Sequence, residues 1–129
     1  MRAKILNASA GSGKTYQLAY KYVRDVIDQP GLYRHILAVT FTNKATEEMK
    51  SRILKEIHRL ASGGASPYLE NLCRELSLDE RSVRKRAAEV RSKILHDYSR
   101  FTVLTIDTFF QRILRAFIKE LSIDLNYNV

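Results

Sequence analysis

From Lys14 to Gln29, apolar side chains recur at Ala19, Tyr22, Val23, Val26 and Ile27, the i, i+3, i+4, i+7, i+8 spacing that gathers one stripe on a helix. Ahead of it, Ala3 to Leu6 form a short apolar run that stops at a glycine-containing loop and reads as a buried strand. Pro30-Gly31 ends the helix. Ile36 to Phe41, ILAVTF, is a near-continuous apolar and β-branched run, as expected of a strand covered on both faces. Asn43 stands where it can cap the next helix, with Glu47 and Glu48 in the first turn near the positive end of the dipole. Met49, Ile53, Ile57 and Leu60 supply that helix's inner face, and Ser62-Gly63-Gly64 closes it. A short helix is predicted over Pro67 to Leu76, and a longer one from Asp79 to about Tyr98 with Val83, Ala87, Val90 and Ile94 on one side. Strand character returns from Phe101 to Ile106, and Asp107 to Leu121 is helical again.

That order, strand, helix, strand, helices, strand, helix, predicts an α/β fold with a parallel sheet flanked by helices. Residues from about 62 to 100 add helices and no strand, so they read as a helical insertion. The 129 residues fit one domain with a real core. No stretch approaches the roughly 20 apolar residues of a membrane span, and no apolar h-region follows the basic start Met1 to Leu6. The single cysteine, Cys73, excludes an internal disulfide framework and suits a reducing, cytoplasmic setting. His35, His58 and His96 are scattered without metal-ligand spacing. Net charge is +8, which favours a polyanionic partner, nucleic acid before membrane, or merely keeps the domain soluble.

The loop NASAGSGKT, Asn7 to Thr15, changes the picture. A strict P-loop reads G-x-x-x-x-G-K-[ST]. Gly13, Lys14 and Thr15 supply its end, Ala8 stands at the first glycine, and Gly11 adds a flexible point inside. Small residues let successive backbone N–H groups curl around an anion at the positive end of the following helix. The candidate nucleotide-binding residues are therefore Ala8, Ser9, Ala10, Gly11, Ser12, Gly13, Lys14, Thr15 and Tyr16. Lys14 and Thr15 are the catalytic candidates: the lysine would reach the β- and γ-phosphates of ATP, and the threonine hydroxyl would ligate Mg2+ through the nucleotide. The bland alternative is a helix-capping turn that happens to contain Gly-Lys-Thr.

ATP hydrolysis also needs an acid at the end of a second strand. VLTID, Val103 to Asp107, is the one candidate, and it would serve a complete small P-loop phosphotransferase with Asp107 as metal ligand. A basic DNA-binding module with a vestigial loop is the other alternative. Arg81, Arg84, Lys85 and Arg91 share a face of the 79–98 helix, which is either a phosphate-binding stripe or a solvated face.

NASAGSGKT, ILAVTFTNKATEEMKSRI at 36–53 and TIDTFFQRILR at 105–115 together resemble the start of a superfamily 1 DNA helicase of the UvrD/Rep type. Within that group the chain is most similar to the helicase–nuclease proteins of the RecB and AddA kind, where the ASAG form of the loop is usual. The resemblance implies the N-terminal part of the first RecA-like ATPase lobe over residues 1–129, in a DNA repair or recombination enzyme. It implies ATP and Mg2+ as cofactors, single-stranded DNA as partner, and a second helicase–nuclease subunit for the parent. Thr40, Phe41, Thr42, Asn43 and Lys44 would touch the DNA strand, with Phe41 offering a face for a base; by its position alone, Phe41 reads as core packing at a strand end. Thr105, Thr108 and Phe109 match the next DNA-contacting motif, although relatives often carry His-Gly or His-Ser in place of Asp107-Thr108. Asp107 is then expected to cap the following helix.

No upstream glutamine motif, acidic Walker B pair or second motor lobe stands in these residues. The resemblance therefore implies a piece of a larger protein, by itself inactive. In the family the acidic strand lies beside the P-loop strand, so the resemblance implies an uncovered sheet edge, with self-association or an altered C-terminal segment covering the gap.

Overall fold

The structure, a computed structural model, describes the backbone of residues 4–8 and 12–127 and the side chains of residues 16–122. Strands β1 (Lys4–Ala8), β2 (Ile36–Thr40) and β3 (Thr102–Thr105) form a three-stranded parallel sheet in the order β1-β2-β3. The crossovers are helical: α1 (Ser12–Asp28) and a 3-10 turn (Pro30–Arg34) lead from β1 to β2, and α2 (Asn43–Ser62), α3 (Leu69–Leu76) and α4 (Glu80–His96) lead from β2 to β3. Helix α5 (Ile106–Tyr127) follows β3 directly. Both β1 and β3 are therefore edge strands among the described residues, and the α/β class expected from the pattern is what forms.

Side-chain alternation assigns the faces of the sheet. Ile36, Ala38 and Val103 share one core cluster with Tyr22, Val23, Val26 and Ile27 of α1, Met49, Ile53, Ile57 and Leu60 of α2, and Val83, Ala87, Val90 and Ile94 of α4. Ala38 and Val103 are cross-strand partners, so they point the same way, and the three helices pack together over that face. The other face is covered less evenly. Val39 is buried there, but Leu37 and Leu104 are only half-buried, which corrects the expectation of a strand enclosed on both sides. The segment 62–100 contributes no strand, yet it is no appendage, because α4 supplies part of the main core.

Local chemistry explains most helix ends. Thr42, not Asn43, is the N-cap of α2: its backbone is extended (φ −131°, ψ 157°) and its hydroxyl accepts from the Ala45 N–H at 3.0 Å. Asn43 is already helical, and Glu47 and Glu48 fall one turn later than expected, leaving no acid in the first turn. A hydroxyl on a β-branched residue suits the extended backbone a cap requires. Asp79 caps α4 by accepting from Ser82 N–H at 2.8 Å. Helix α2 stops at Gly63, whose φ of +83° is accessible to glycine at little cost. Strand β2 ends at Thr40, one residue before the expected Phe41, and Ile106 begins α5 instead of ending β3.

Two arginines of α4 close the carboxyl ends of its neighbours. Arg84 donates from Nη1 to the carbonyls of Leu60 and Gly64, each at 3.1 Å, and Arg86 donates from Nη1 to Asp28 O at 2.9 Å and Ile27 O at 3.3 Å. Each cation thus meets unpaired carbonyls at the negative end of a helix dipole. Arg91 bonds the Ser62 hydroxyl and the His58 ring, both at 3.1 Å. Of the basic face seen in the sequence, Arg81 and Lys85 remain simply exposed. Arg84 and Arg91 of that face have structural partners.

Helix α5 contacts the sheet near its start, and its exposed side chains from residue 110 to 122 include Phe110, Ile113, Leu114, Phe117, Ile118 and Leu121. No helix among the described residues is long and apolar enough to cross a membrane. Since Arg84 bonds both Leu60 O and Gly64 O, Arg84→Ala should lower unfolding free energy by about 1.5–3 kcal/mol, the range for charge-assisted hydrogen bonds. Urea denaturation measures it, and an unchanged midpoint would remove the capping role.

Candidate functional site

In the parallel register, Ala8 pairs with Thr40 and Thr40 pairs with Thr105. The last residues of all three strands are therefore side by side at one rim. Strand neighbours stand about 4.8 Å apart, so the rim spans on the order of 10 Å. Each strand then feeds a helix whose N-terminus starts there: α1 at Ser12, α2 at Asn43, α5 at Ile106. Neither α1 nor α2 carries an acid in its first turn. Their positive dipole ends are left uncompensated, which favours an anion at this rim.

Thr40 holds the middle of the rim together. It is fully buried, and its Oγ1 lies 2.5 Å from Thr46 Oγ1, 3.2 Å from Thr42 O and 3.4 Å from Leu104 O. Thr46 Oγ1 is also 3.1 Å from Thr42 O. Each hydroxyl has one proton, so the pair satisfies itself when Thr46 donates to Thr40 and Thr40 donates to a carbonyl. Thr40 is one of the expected DNA contacts, yet its side chain is enclosed, because the β2 alternation that buries Ile36 and Ala38 also buries position 40. Thr46, its partner one turn into α2, carries no signal in the sequence beyond its spacing from Thr42.

The remaining motif side chains are at the surface. Phe41 is 53% exposed, and Thr42, Asn43 and Lys44 are exposed beside it at the start of α2. Across the rim, Thr105 and Thr108 are half-buried and joined by their hydroxyls at 3.0 Å, while the half-buried Phe109 ring lies 6.1 Å from that of Phe110. The Thr108 N–H also donates to Thr105 Oγ1 at 3.2 Å. Thr105 is thus the side chain that caps α5, and Asp107, expected in that role, is an exposed residue of the first turn. The threonine wins because it stands at the turn itself, three residues before the N–H it accepts from.

Ser9, Ala10 and Gly11 lie outside the described residues, as do the side chains of Ala8, Ser12, Lys14 and Thr15. What is described is the frame: a strand ending at Ala8 and a helix whose backbone runs from Ser12, so that Gly13, Lys14 and Thr15 belong to its first turn. Tyr16 is the first side chain on view, with the Arg52 guanidinium 5.3 Å over its ring. A cleft of about 290 Å³ opens beside it, lined by Tyr16, Tyr20, Arg24, Tyr68 and Glu75. Burial pushes the Tyr68 phenol above its ordinary range, which keeps it a donor at neutral pH. Neither Arg52 nor Tyr68 stands out in the sequence, since both come from segments distant in the chain.

The strand end and helix start that carry Gly-Lys-Thr thus stand beside two further strand ends, which carry FTNK and TIDTF. The chain belongs to the UvrD/REP helicase N-terminal domain family, whose model matches residues 2–129. It is similar to the RecBCD enzyme subunit RecB of Escherichia coli (strain K12), at 31% identity over 86% of this chain and 10% of the relative. It is also similar to a subunit of the ATP-dependent helicase/nuclease of Lactococcus lactis subsp. cremoris (strain SK11), at 29% identity over 97% of this chain and 9% of that protein. The exonuclease/helicase subunit RexA of strain MG1363 of the same subspecies is 28% identical over 97% of the chain and 9% of its own length. The chain thus spans about a tenth of the length of these curated relatives. No solved structure matches it.

Thr40→Val keeps the shape and removes the buried hydroxyl, leaving Thr46 without its closest partner. It should cost about 1–3 kcal/mol in urea denaturation. A variant as stable as the parent would show that the hydroxyl pair does not hold the rim.

Proposed function

We propose that this chain is the ATP-binding and single-stranded-DNA-contacting part of an ATP-dependent DNA helicase of the helicase–nuclease kind, acting in DNA repair or recombination. In this reading residues 1–129 belong to the first RecA-like lobe, with about 62–100 as a helical insertion. The observation that carries it is the cross-strand alignment of Ala8, Thr40 and Thr105, each the last residue of its strand and the first of one of the motif segments. Membership of the UvrD/REP family supports it.

ATP with Mg2+ supplies the transferable phosphoryl group and its counter-charge. Residues 8–16 are suited to hold it: α1 begins at the rim with no acid in its first turn, and Lys14 and Thr15 belong to that turn. Lys14 would neutralise the β- and γ-phosphates and Thr15 would offer its hydroxyl to the metal. Base selectivity is left to other contacts, and Tyr16 with Arg52 offers a flat cationic and aromatic surface next to the loop.

The DNA strand would run over the second and third strand ends. The exposed Phe41 ring is open to a base, Thr42, Asn43 and Lys44 lie at a helix N-terminus suited to phosphate, and Thr105, Thr108 and Phe109 border the same rim. Thr40, buried beneath them, orients the loop instead of touching the strand. Asp107 is the only acid in the described helix starts at this rim, and as an exposed first-turn residue of α5 it lacks the strand-end position of a metal-holding pair. Hydrolysis by these residues alone is therefore expected to be negligible.

Two variants separate the two halves of the rim. Lys14→Ala should weaken binding of a fluorescent ATP analogue with Mg2+ at least tenfold and leave single-stranded DNA affinity nearly intact. Phe41→Ala should weaken oligothymidine binding by about 1–3 kcal/mol and leave nucleotide affinity unchanged. Asp107→Asn should change neither. Rapid ATP turnover by the chain, abolished by Asp107→Asn, would reverse the reading in favour of a phosphotransferase.

A further inference from the structure

The start of α1 is held by a residue far away in the chain. Tyr68 is the N-cap residue of α3, and its side chain is 1% exposed. Its hydroxyl takes no part in capping α3. It reaches α1 and donates to the backbone carbonyl of Tyr16 at 3.1 Å, linking positions 52 residues apart. The Tyr68 ring also meets the rings of Tyr16 and Tyr20 edge-on, each at a centroid distance of 5.2 Å. Helix α3 has a second tie to α1: Tyr20 Oη donates to Glu75 Oε1 at 2.9 Å, and Arg24 Nη1 to Glu75 Oε2 at 3.1 Å.

These contacts fall on a sensitive place. Tyr16 follows Thr15 directly, so the peptide carrying its carbonyl is next to the turn that contains Gly13, Lys14 and Thr15. The first turn of a helix has free N–H groups and no preceding turn to restrain it. An external hydrogen bond at this point limits how far that turn can open. A binding site ordered in advance spends less of the ligand's free energy on ordering.

We propose that Tyr68 is a positioning residue for the phosphate loop, acting through its hydrogen bond to the Tyr16 carbonyl, and that the segment between β2 and β3 thereby sets how ready the loop is for nucleotide. The inference rests on the reading of residues 8–16 as a nucleotide cradle. It assigns the helical segment a part in nucleotide affinity without any contact to the nucleotide. Burial favours the protonated phenol, so this tie persists across the neutral pH range.

Tyr68→Phe in the 129-residue chain tests it, because the ring contacts remain and only the hydroxyl is lost. Two readouts are measured: amide hydrogen exchange along the chain, and affinity for a fluorescent ATP analogue with Mg2+. The amides of residues 16–20, bonded within α1, should exchange about fivefold faster and nucleotide affinity should fall about fivefold, the equivalent of one neutral hydrogen bond. The amides of Val83 to Ile94 in α4 should keep their protection. Tyr33→Phe is the control for general loosening: Tyr33 is also 1% exposed, and its hydroxyl donates to Asp97 Oδ2 at 3.1 Å, outside the cleft beside α1. It should leave exchange at 16–20 and nucleotide affinity unchanged. Equal exchange and equal affinity in Tyr68→Phe and the parent would overturn the inference alone, as would matching effects from Tyr33→Phe. A parent chain indifferent to the ATP analogue, with Lys14→Ala no different, would overturn the nucleotide reading instead.

Discussion

Parallel pairing is the constraint on which the rest of this structure depends. Two parallel strands cannot be joined by a tight turn, so each connection must climb back along the sheet, here as helices. All carboxyl ends then fall on one side, and every helix that follows a strand begins there. The register carries this to single residues, with Ala8, Thr40 and Thr105 in line. Three segments distant in sequence become neighbours because parallel pairing in the order β1-β2-β3 sets their carboxyl ends side by side.

The rim so formed is polar, and its polarity is managed by threonines. Thr42 caps α2, Thr105 caps α5, and the buried Thr40–Thr46 pair ties β2 to α2. A threonine suits both settings: its branched Cβ tolerates extended backbone, and its hydroxyl can accept an N–H or donate to a carbonyl. At the opposite ends of α1 and α2 the need is reversed, and there the arginines of α4 supply donors and positive charge. The middle helical segment thus contributes to the core through Val83, Ala87, Val90 and Ile94, and to the helix termini through Arg84 and Arg86.

Apolar runs, helical spacing and Gly or Pro breaks indicate the three strands and five α-helices of the described residues, and the buried stripes on α1, α2 and α4 are those the spacing indicates. Helix starts are less readable. Asn43 and Asp107 look like caps by residue type, yet Thr42 and Thr105 hold those positions, because the cap goes to whichever side chain sits on the last extended residue. For the same reason Thr40 cannot be separated by pattern from its exposed neighbours: its burial follows from which face of β2 meets the helices, a tertiary fact. Tyr68, Arg84 and Arg52 are invisible in a stronger sense. Their partners are Tyr16, the carboxyl end of α2 and the Tyr16 ring, and no local pattern marks a tyrosine or arginine for a contact across the fold.

Helix α5 shows what remains outside this chain's own energetics. An isolated helix of this length is marginal in water, and most helices owe their stability to burying one face. On α5, Phe110, Ile113, Leu114, Phe117 and Leu121 follow helical spacing, yet each is about half exposed or more. The stripe therefore contributes little to holding the rest of the chain together, while Thr105 and the first turn anchor the helix at the rim. In the proposed function that division has a consequence. Thr105, Thr108 and Phe109, the residues proposed to face DNA, are positioned by the sheet and the cap and do not depend on what the outer turns of α5 pack against. The rim can be complete even where the helix leaving it is not.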